Sequence, residues 1–341
     1  MNVNAWDRSV RGSGALRRQV ATWWNTAAIA LARATAGFRQ TDVAIFHEFA
    51  PPPVGGGHQF LRALWREIER RGLRVGNNTI SHGTRACLYN SFNFDFERLR
   101  RLRRPGCRMV HRVDGPIGVY RGRDDGIDRR IWQINHELAD ATIFQSRYCL
   151  GKHRELGLEF RSPTVIRNAA DPEIFHPGGR VAFHHSRKIR LISTSWSDNP
   201  NKGAAVYKWL EDHLDWKRFE YTFVGRTAVP FARIRTMPPT RSERLAELLR
   251  QHDIFITASR EDPCSNALIE ALSCGLPALY LRSGGHPEIV GAAGFGFESE
   301  EELPGLLDRL VAEYPNRQAQ IAVPSLADVA DQYLSVMAVE R

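Results

Sequence analysis

The sequence predicts an α/β fold built from two doubly wound parallel sheets, and three observations carry that expectation. The chain has 341 residues, long for a single hydrophobic core. Short apolar runs alternate with amphipathic segments of helical period, joined by brief Gly- and Pro-containing connections. The alternation pauses at residues 176–187 (HPGGRVAFHHSR) and then restarts, which divides it into two units.

The first unit opens with residues 42–49 (DVAIFHEF), a compact apolar run that reads as a strand. A Pro/Gly loop, PPPVGGG, follows it. Phe60, Leu61, Leu64, Trp65 and Ile68 then recur at helical spacing over 58–71, with Gly72 as the stop and LRV as the next apolar step. Residues 107–113 form a further expected strand, ending in the polar cluster around His111, Arg112 and Asp114. Residues 131–138 read as helix, ADATIFQS (139–146) as strand and 148–156 as helix. In the second unit, expected strands at 189–194, 219–225, 253–259 and 276–281 alternate with helices at 204–214, 241–250, 266–273 and 286–290. Residues 326–336 close the chain with one more helical pattern. The expected division is an extension at 1–40, a first domain at 41–180, a second at 181–322, and a C-terminal helix at 323–341 that returns to the first domain.

Composition is that of a globular protein, 43% hydrophobic and 25% charged. A formal net charge of +9 favours anionic partners: nucleic acid, an acidic membrane surface or a phosphorylated small molecule. Cys87, Cys107, Cys149, Cys264 and Cys274 are scattered, with no CxxC and no His at zinc-ligand spacing, so reduced thiols are expected and a structural zinc site is not. No run approaches the ~20 apolar residues of a membrane span. Residues 16–38 place Leu16, Val20, Trp23, Trp24, Ala27 and Leu31 at helical spacing, flanked by Arg17, Arg18 and Arg33. The Ala34-Thr35-Ala36 ending resembles a signal-peptide cleavage site, but Thr22, Asn25 and Thr26 break the apolar stretch. Two readings stand: a helix packed on the first domain, or a basic Trp-bearing helix at an anionic membrane surface. The run RLRRLRRPGCR (98–108) reads either as a solvated face or as a phosphate- or lipid-facing patch.

In open α/β sheets ligands bind beyond the carboxyl ends of the strands, beside helix N-termini. Gly55, Gly56 and Gly57 in the first such loop let backbone approach a ligand, although a tight strand–helix turn needs glycine anyway. SDNPNKG (197–203) occupies the matching loop of the second unit, where Lys202 before Gly203 suits a diphosphate or is one more surface lysine. The richest stretch is SREDPCSNALIEALSCGLP (259–277). Glu261-Asp262-Pro263 turns out of an expected strand, Ser265 is a good N-cap, and the N–H groups of Ser265, Asn266, Ala267 and Leu268 suit a phosphate. Glu270 lies one turn in, where a carboxylate can accept both hydroxyls of a ribose diol. Capping and pairing with arginines would equally explain Asp262 and Glu270.

D-x7-E followed by ALSCGLP and then LRSGGHPEIVG resembles the E-x7-E region of the retaining GT-B glycosyltransferases of family 4. VIRNAADPEIFHP (165–177), ADATIFQSRYCLGKH (139–153) and PPPVGGGHQFLRALWREIERRGLRV (51–75) resemble further segments of that family in order, covering about 42–334. The resemblance implies two Rossmann-like domains facing a cleft. It implies that Asp262 contacts the donor sugar, Glu270 holds the nucleotide ribose, the backbone from Ser265 to Leu268 meets the diphosphate, and Lys202 is the phosphate-loop lysine. Two departures stand out. The first acid is Asp262 rather than Glu, with Glu261 as its neighbour and substitute. The family's arginine after the phosphate-loop strand is replaced by Ser195, Trp196 and Ser197, which leaves Lys202, Arg226 and a helix N-terminus to neutralise the leaving group. On the acceptor side Asp114 and His111 compete for the position of a catalytic-site residue, and Asp114 as a cap for the Gly115-Pro116 turn is the structural alternative.

DDGID (124–128) is not a DxD metal site, so neither metal nor cofactor is expected beyond the donor substrate itself. The expectation is a hexosyl-type glycosyltransferase that moves a sugar with retention from a nucleoside diphosphate sugar to a glycan or lipid-linked acceptor. It would be cytoplasmic, in polysaccharide biosynthesis, and peripheral at the inner face of a membrane. A nucleotide-sugar epimerase of the same fold and a non-catalytic sugar-nucleotide-binding module are the alternatives. A basic nucleic-acid-binding protein is the third, and no reader motif supports it.

Overall fold

The computed structural model describes residues 40–49, 56–92 and 94–339. The expected extension at 1–40 therefore lies outside the described residues except for Gln40, and so does Gly55. Two six-stranded sheets, each wholly parallel, form the frame. The two-unit α/β expectation is met.

In the first sheet β1 (Val43–Phe46) is buried along its whole length, as a strand covered on both faces must be. Helix α1 (Gly56–Arg70) turns Phe60, Leu61, Leu64 and Ile68 onto it. β2 (Val75–Asn77) and β3 (Ala86–Asn90) flank β1. Helix α2 (Phe96–Leu102) begins at Asp95, whose side chain accepts the N–H of Arg98. β4 (Arg108–Val113), the short α3 (Ile117–Arg121), α4 (Ile127–Leu138), β5 (Ala141–Phe144), α5 (Arg147–Glu155) and β6 (Pro163–Val165) complete the unit. The basic run 98–108 is thus half helix and half turn. Arg100 pairs with Glu97 and Glu137, and Arg103 donates to the Glu137 carbonyl. Asp128, from DDGID, sits in the first turn of α4 and accepts the N–H groups of Ile117 and Gly118 at 2.7 and 2.8 Å. It fastens the start of α3.

The second unit contains β7 (Ile189–Ser195), a 3-10 turn at Pro200–Lys202, α6 (Ala204–His213), β8 (Phe219–Gly225), β9 (Arg235–Met237) and α7 (Ser242–Arg250). β10 (Ile254–Thr257), α8 (Asn266–Ser273), β11 (Ala278–Leu281), α9 (His286–Val290) and β12 (Gly294–Phe297) follow, then α10 (Leu303–Ala312) and α11 (Tyr314–Ala319). β12 escapes sequence reading because glycine usually weakens a strand. Here a Cβ on Gly294 would lie 1.9 Å from the Ala278 carbonyl oxygen, so only glycine lets the strands pair.

The last helix, α12 (Leu326–Val336), is capped by Ser325 and packs on α1 of the first unit. Val329, Ala330, Tyr333, Leu334 and Met337 are all at most 4% exposed there. Burying side chains of this size contributes ~1.5–3 kcal/mol each for the larger ones.

Strand order places the chemistry. The second sheet runs β12-β11-β10-β7-β8-β9, so its connections diverge between β7 and β10. The first runs β2-β1-β3-β4-β5-β6 and diverges between β1 and β3. A crevice opens at each such switch point because neighbouring loops leave toward opposite faces. The loops that follow β7, β10, β1, β3, β4 and β5 all reach one shared cavity.

Candidate functional site

That cavity has a volume of about 420 Å³ and lies between the two sheets. The second unit supplies Thr194, Ser195, Trp196, Lys202, Thr257, Ser259 and the whole turn from Glu261 to Ala267, with Glu270 behind it. The first unit supplies Gly56, Gly57, Phe92, Asp114, Gly115, Ile117, Tyr120 and Gln145. Among these residues Lys202 is the only Lys or Arg, facing four carboxyl side chains.

The start of α8 follows from local sequence. Ser265 has extended backbone and its hydroxyl accepts the Leu268 N–H at 3.4 Å, which ends the preceding turn and starts the helix. The N–H groups of Asn266 and Ala267 lie in the first turn, where a helix has no internal acceptor for them, and both residues line the cavity. α1 begins with Gly56 and Gly57 at the same cavity, so two helix N-termini converge on it. The contact is tight: a Cβ on Gly56 would stand 2.5 Å from the Asn266 Cβ. Leu268 is carried on the same turn, but its side chain is fully buried in the core and its N–H is spent on Ser265.

Asp262 is 8% exposed and takes the Lys202 ammonium at 2.9 Å. Burial raises its pKa, yet Lys202 and then His286 outweigh that and hold the carboxyl below its ordinary value. For Lys202 burial lowers the pKa and the Asp262 charge reverses the sign, leaving it raised. The pair is therefore charged on both sides. Lys202 also lies 5.8 Å from the centre of the Tyr120 ring. Glu261 is different. It holds a left-handed backbone at φ 53, and its carboxylate takes the Tyr148 hydroxyl from the opposite domain.

Glu270 is 9% exposed, lines the cavity and makes no side-chain hydrogen bond among the described residues. Burial alone pushes its pKa up to about 8. A buried, unpartnered carboxyl beside two helix N-termini is equipped to accept hydroxyl donors from a ligand.

Asp114 lines the first-domain wall, held by Arg112 at 3.1 Å and by the Gln145 amide. Arg112 is fully buried, donating to Asn90 at 2.7 Å and Asn168 at 3.1 Å and lying over the Phe60 ring. Asn168 in turn donates to Gln145 and, across the domains, to Asn266 at 3.0 Å. A polar chain thus joins the first-domain wall to the start of α8.

Some sequence candidates are not brought to this site. His111 is fully buried, stacked on Tyr89 at 4.3 Å and hydrogen-bonded to Ser91 and Asn135. β4 is covered on both faces from Met109 to Val113, which leaves His111 in the core, and desolvation drops its pKa to about 3. Arg226 is exposed and donates to the Trp196 carbonyl at 3.3 Å, outside the cavity lining. Gly203 serves the turn: at φ +79 it packs against Ala258, where a Cβ would meet the carbonyl oxygen at 2.5 Å. Sequence reasoning missed Tyr148, Asn168 and Tyr120, which contact the second domain across the cleft, and Gln145, which holds Asp114 and Asn168 within the first. Trp196 was noticed only as the place of an absent arginine, and it lines the cavity. No group of three or more His, Cys, Asp or Glu side chains suited to a metal ion occurs among the described residues. No helix among them is long and apolar enough to cross a membrane.

Residues 218–313 match a family model described as glycosyl transferases group 1. A curated relative, N-acetyl-alpha-D-glucosaminyl L-malate synthase of Bacillus anthracis, is 29% identical over 72 residues, a match that spans 21% of this chain and 19% of that protein. Solved structures align over far more. Sucrose-phosphate synthase from Thermosynechococcus elongatus covers 89% of this chain and 100% of its own at 15% identity and a TM-score of 0.69. The catalytic domain of starch synthase IV from Arabidopsis thaliana, bound to ADP and acarbose, gives 88%, 99%, 12% and 0.67. HepE from Anabaena, in complex with UDP and glucose, gives 88%, 97%, 14% and 0.60. The chain has the GT-B fold of these glycosyltransferase structures, and its second domain contains a glycosyl transferases group 1 region.

Proposed function

We propose that the protein is a retaining glycosyltransferase of family 4 that moves a hexosyl group from a nucleoside diphosphate sugar to a hydroxyl of a glycan or lipid-linked acceptor. The observation that carries this reading is Glu270: a buried carboxyl without a partner, opening on the same cavity as the α8 N-terminus and the Lys202–Asp262 pair. Glu270 accepts the two ribose hydroxyls. The first-turn N–H groups of α8 and α1 receive the diphosphate, and Lys202 supplies the positive charge that the missing arginine does not. Asp262 faces the sugar hydroxyls, and the acceptor enters along Asp114, Phe92 and Ile117.

Retention fits attack from the face on which the diphosphate departs. The acceptor oxygen bonds to the anomeric carbon as the bond to the phosphate oxygen breaks, and the hydroxyl proton passes to that departing oxygen. Lys202 and the helix N-termini stabilise the charge that develops there. Closure of the two domains over the donor excludes water from this step. Starch synthase IV is bound to ADP and HepE to UDP in the similar structures, which makes UDP and ADP the first nucleotides to try. An acceptor presented at an anionic surface would meet the exposed arginines of the 98–108 run.

The test is calorimetric binding of a nucleotide and nucleotide-sugar panel, with product analysis by mass spectrometry. Micromolar to millimolar binding that is lost in Glu270→Ala supports the reading. A panel in which nothing binds, with Glu270→Ala indistinguishable from the parent, overturns it.

A further inference from the structure

The turn that carries the two neighbouring acids is gripped from the opposite domain. The Glu288 carboxylate, on α9 of the second domain, accepts the N–H groups of Arg147 and Tyr148 at 2.9 and 2.8 Å. These are the first two residues of α5, so an acid of one domain satisfies the open helix start of the other. Ser146, the cap of α5, donates its hydroxyl to the Pro263 carbonyl at 2.7 Å. Arg167 donates to the Glu288 carbonyl at 2.6 Å.

This grip has a consequence for Glu261 and Asp262. Tyr148 delivers its hydroxyl to the Glu261 carboxylate, while Ser283 accepts the Glu261 N–H at 2.9 Å. Glu261 is held at φ 53, a conformation that non-glycine residues keep only with support from their surroundings. Asp262 turns the other way, to Lys202. The Gly285 N–H fixes the Asp262 carbonyl at 2.9 Å. The two acids are therefore sorted to different partners.

We infer that Tyr148 and Glu288 are positioning residues, a cross-domain clasp that holds Glu261 off the sugar and leaves Asp262 as the acid that meets it. This rests on the nucleotide-sugar reading of the site. With the clasp open, Glu261 loses its hold from the first domain and the two domains lose a tie across the cleft. The closed geometry that binds the donor is then less populated, while the chemistry within it is unchanged.

Two measurements test the clasp. The first needs no ligand: amide hydrogen exchange of the full-length protein at Arg147 and Tyr148. Glu288→Gln, with Glu288→Ala as a second variant, is expected to raise exchange at these amides at least tenfold while urea midpoints stay close to the parent. Unchanged exchange in both overturns the clasp. The second is steady-state kinetics with the nucleoside diphosphate sugar that the parent turns over. Tyr148→Phe and Glu261→Gln are each expected to raise the donor KM three- to tenfold with kcat within twofold, and the double variant is no worse than either. A hundredfold fall in kcat for Glu261→Gln with Tyr148→Phe silent overturns the assignment, because Glu261 would then touch the sugar itself. Failure of the parent to bind any nucleotide removes the functional reading and leaves the exchange result to judge the clasp alone.

Discussion

Replacing Glu270 by Gln should make the ligand-free protein more stable and a worse binder. The carboxyl has an unfolded-state value of 4.5 and a folded value of about 8, raised by burial with nothing to offset it. The sign follows from proton counting. Between those two values the folded state keeps a proton that the unfolded state has lost, so stability falls as pH rises through this window. At 1.36 kcal/mol per pH unit, the penalty grows from about zero near pH 4.5 to about 3 kcal/mol at pH 7, which is an upper bound. Glutamine is isosteric and does not titrate. Urea unfolding of parent and Glu270→Gln at pH 5 and pH 7.5 should therefore show a small difference at the lower pH and a gain of ~2–3 kcal/mol for the variant at the higher one.

Binding should move in the opposite direction. A ribose diol donates two hydrogen bonds, which favour the ionised carboxylate, so nucleotide binding by the parent near pH 7 should release a proton. That appears as a dependence of the calorimetric enthalpy on the ionisation enthalpy of the buffer. The variant should lose this dependence and about 1.5–3 kcal/mol of affinity, roughly ten- to hundredfold, as charge-assisted hydrogen bonds become neutral ones. A Glu270→Gln protein that is no more stable at pH 7.5, or that binds nucleotide like the parent, refutes the reasoning. Greater stability with lost affinity is the pattern of a residue kept for binding rather than folding.

Lys202→Ala strands Asp262 as a buried charge and should cost about 3 kcal/mol in urea unfolding, with most of it recovered in Lys202→Met/Asp262→Asn. Because the Asp262 pKa is lowered in the fold, the pair's contribution is present above about pH 4 and fades as pH falls further, so Lys202→Ala should approach the parent in strong acid. Gly284→Ala combines φ +63 with a Cβ 2.1 Å from the Asp262 carbonyl oxygen, and should abolish donor turnover with little change in far-UV circular dichroism. Gly56→Ala drives a Cβ into Asn266, and should weaken nucleotide binding at least tenfold by calorimetry. Truncation before Leu326 removes α12 and uncovers the α1 face, and the shortened chain should aggregate on expression or unfold below 37 °C.

What could be read in the sequence is what depends on nearest neighbours along the chain. The bounds of α8 and α9 follow from Ser265 as a cap, Gly275 as a stop and a Pro at the start of α9, all local signals. Asp262, Glu270 and Lys202 could be placed near one another because each sits just beyond a strand end, and strand ends of one sheet converge. What could not be read is set by the pairing of two separate sheets. β3 carries ACLYN, a run too short and mixed to declare itself, yet it is buried throughout because β1 and β4 enclose it. His111 illustrates the limit within one strand. A histidine near a strand end looks functional, but β4 is buried on both faces up to Val113, so His111 stays in the core and only Asp114, just past the strand, reaches the cavity.

The pair at 261 and 262 shows most plainly why the site exceeds its motif. Motif spacing singles out Asp262 from Glu270 eight positions later, and it treats Glu261 as an interchangeable neighbour. Nothing in SREDPCSNALIE distinguishes the two, since both are acids in one turn. The distinction lies in partners more than fifty residues away: Tyr148 for Glu261, and Lys202 for Asp262. Those partners sit on different domains, so the sorting exists only while the domains are together. Lys202 is the only lysine or arginine among the described lining residues, so the carboxyl side chains around it share one cation. Holding Glu261 from across the cleft ties the charge balance beside Lys202 to the contact between the domains, so on the proposed nucleotide-sugar reading donor binding and domain contact should weaken together in Tyr148→Phe.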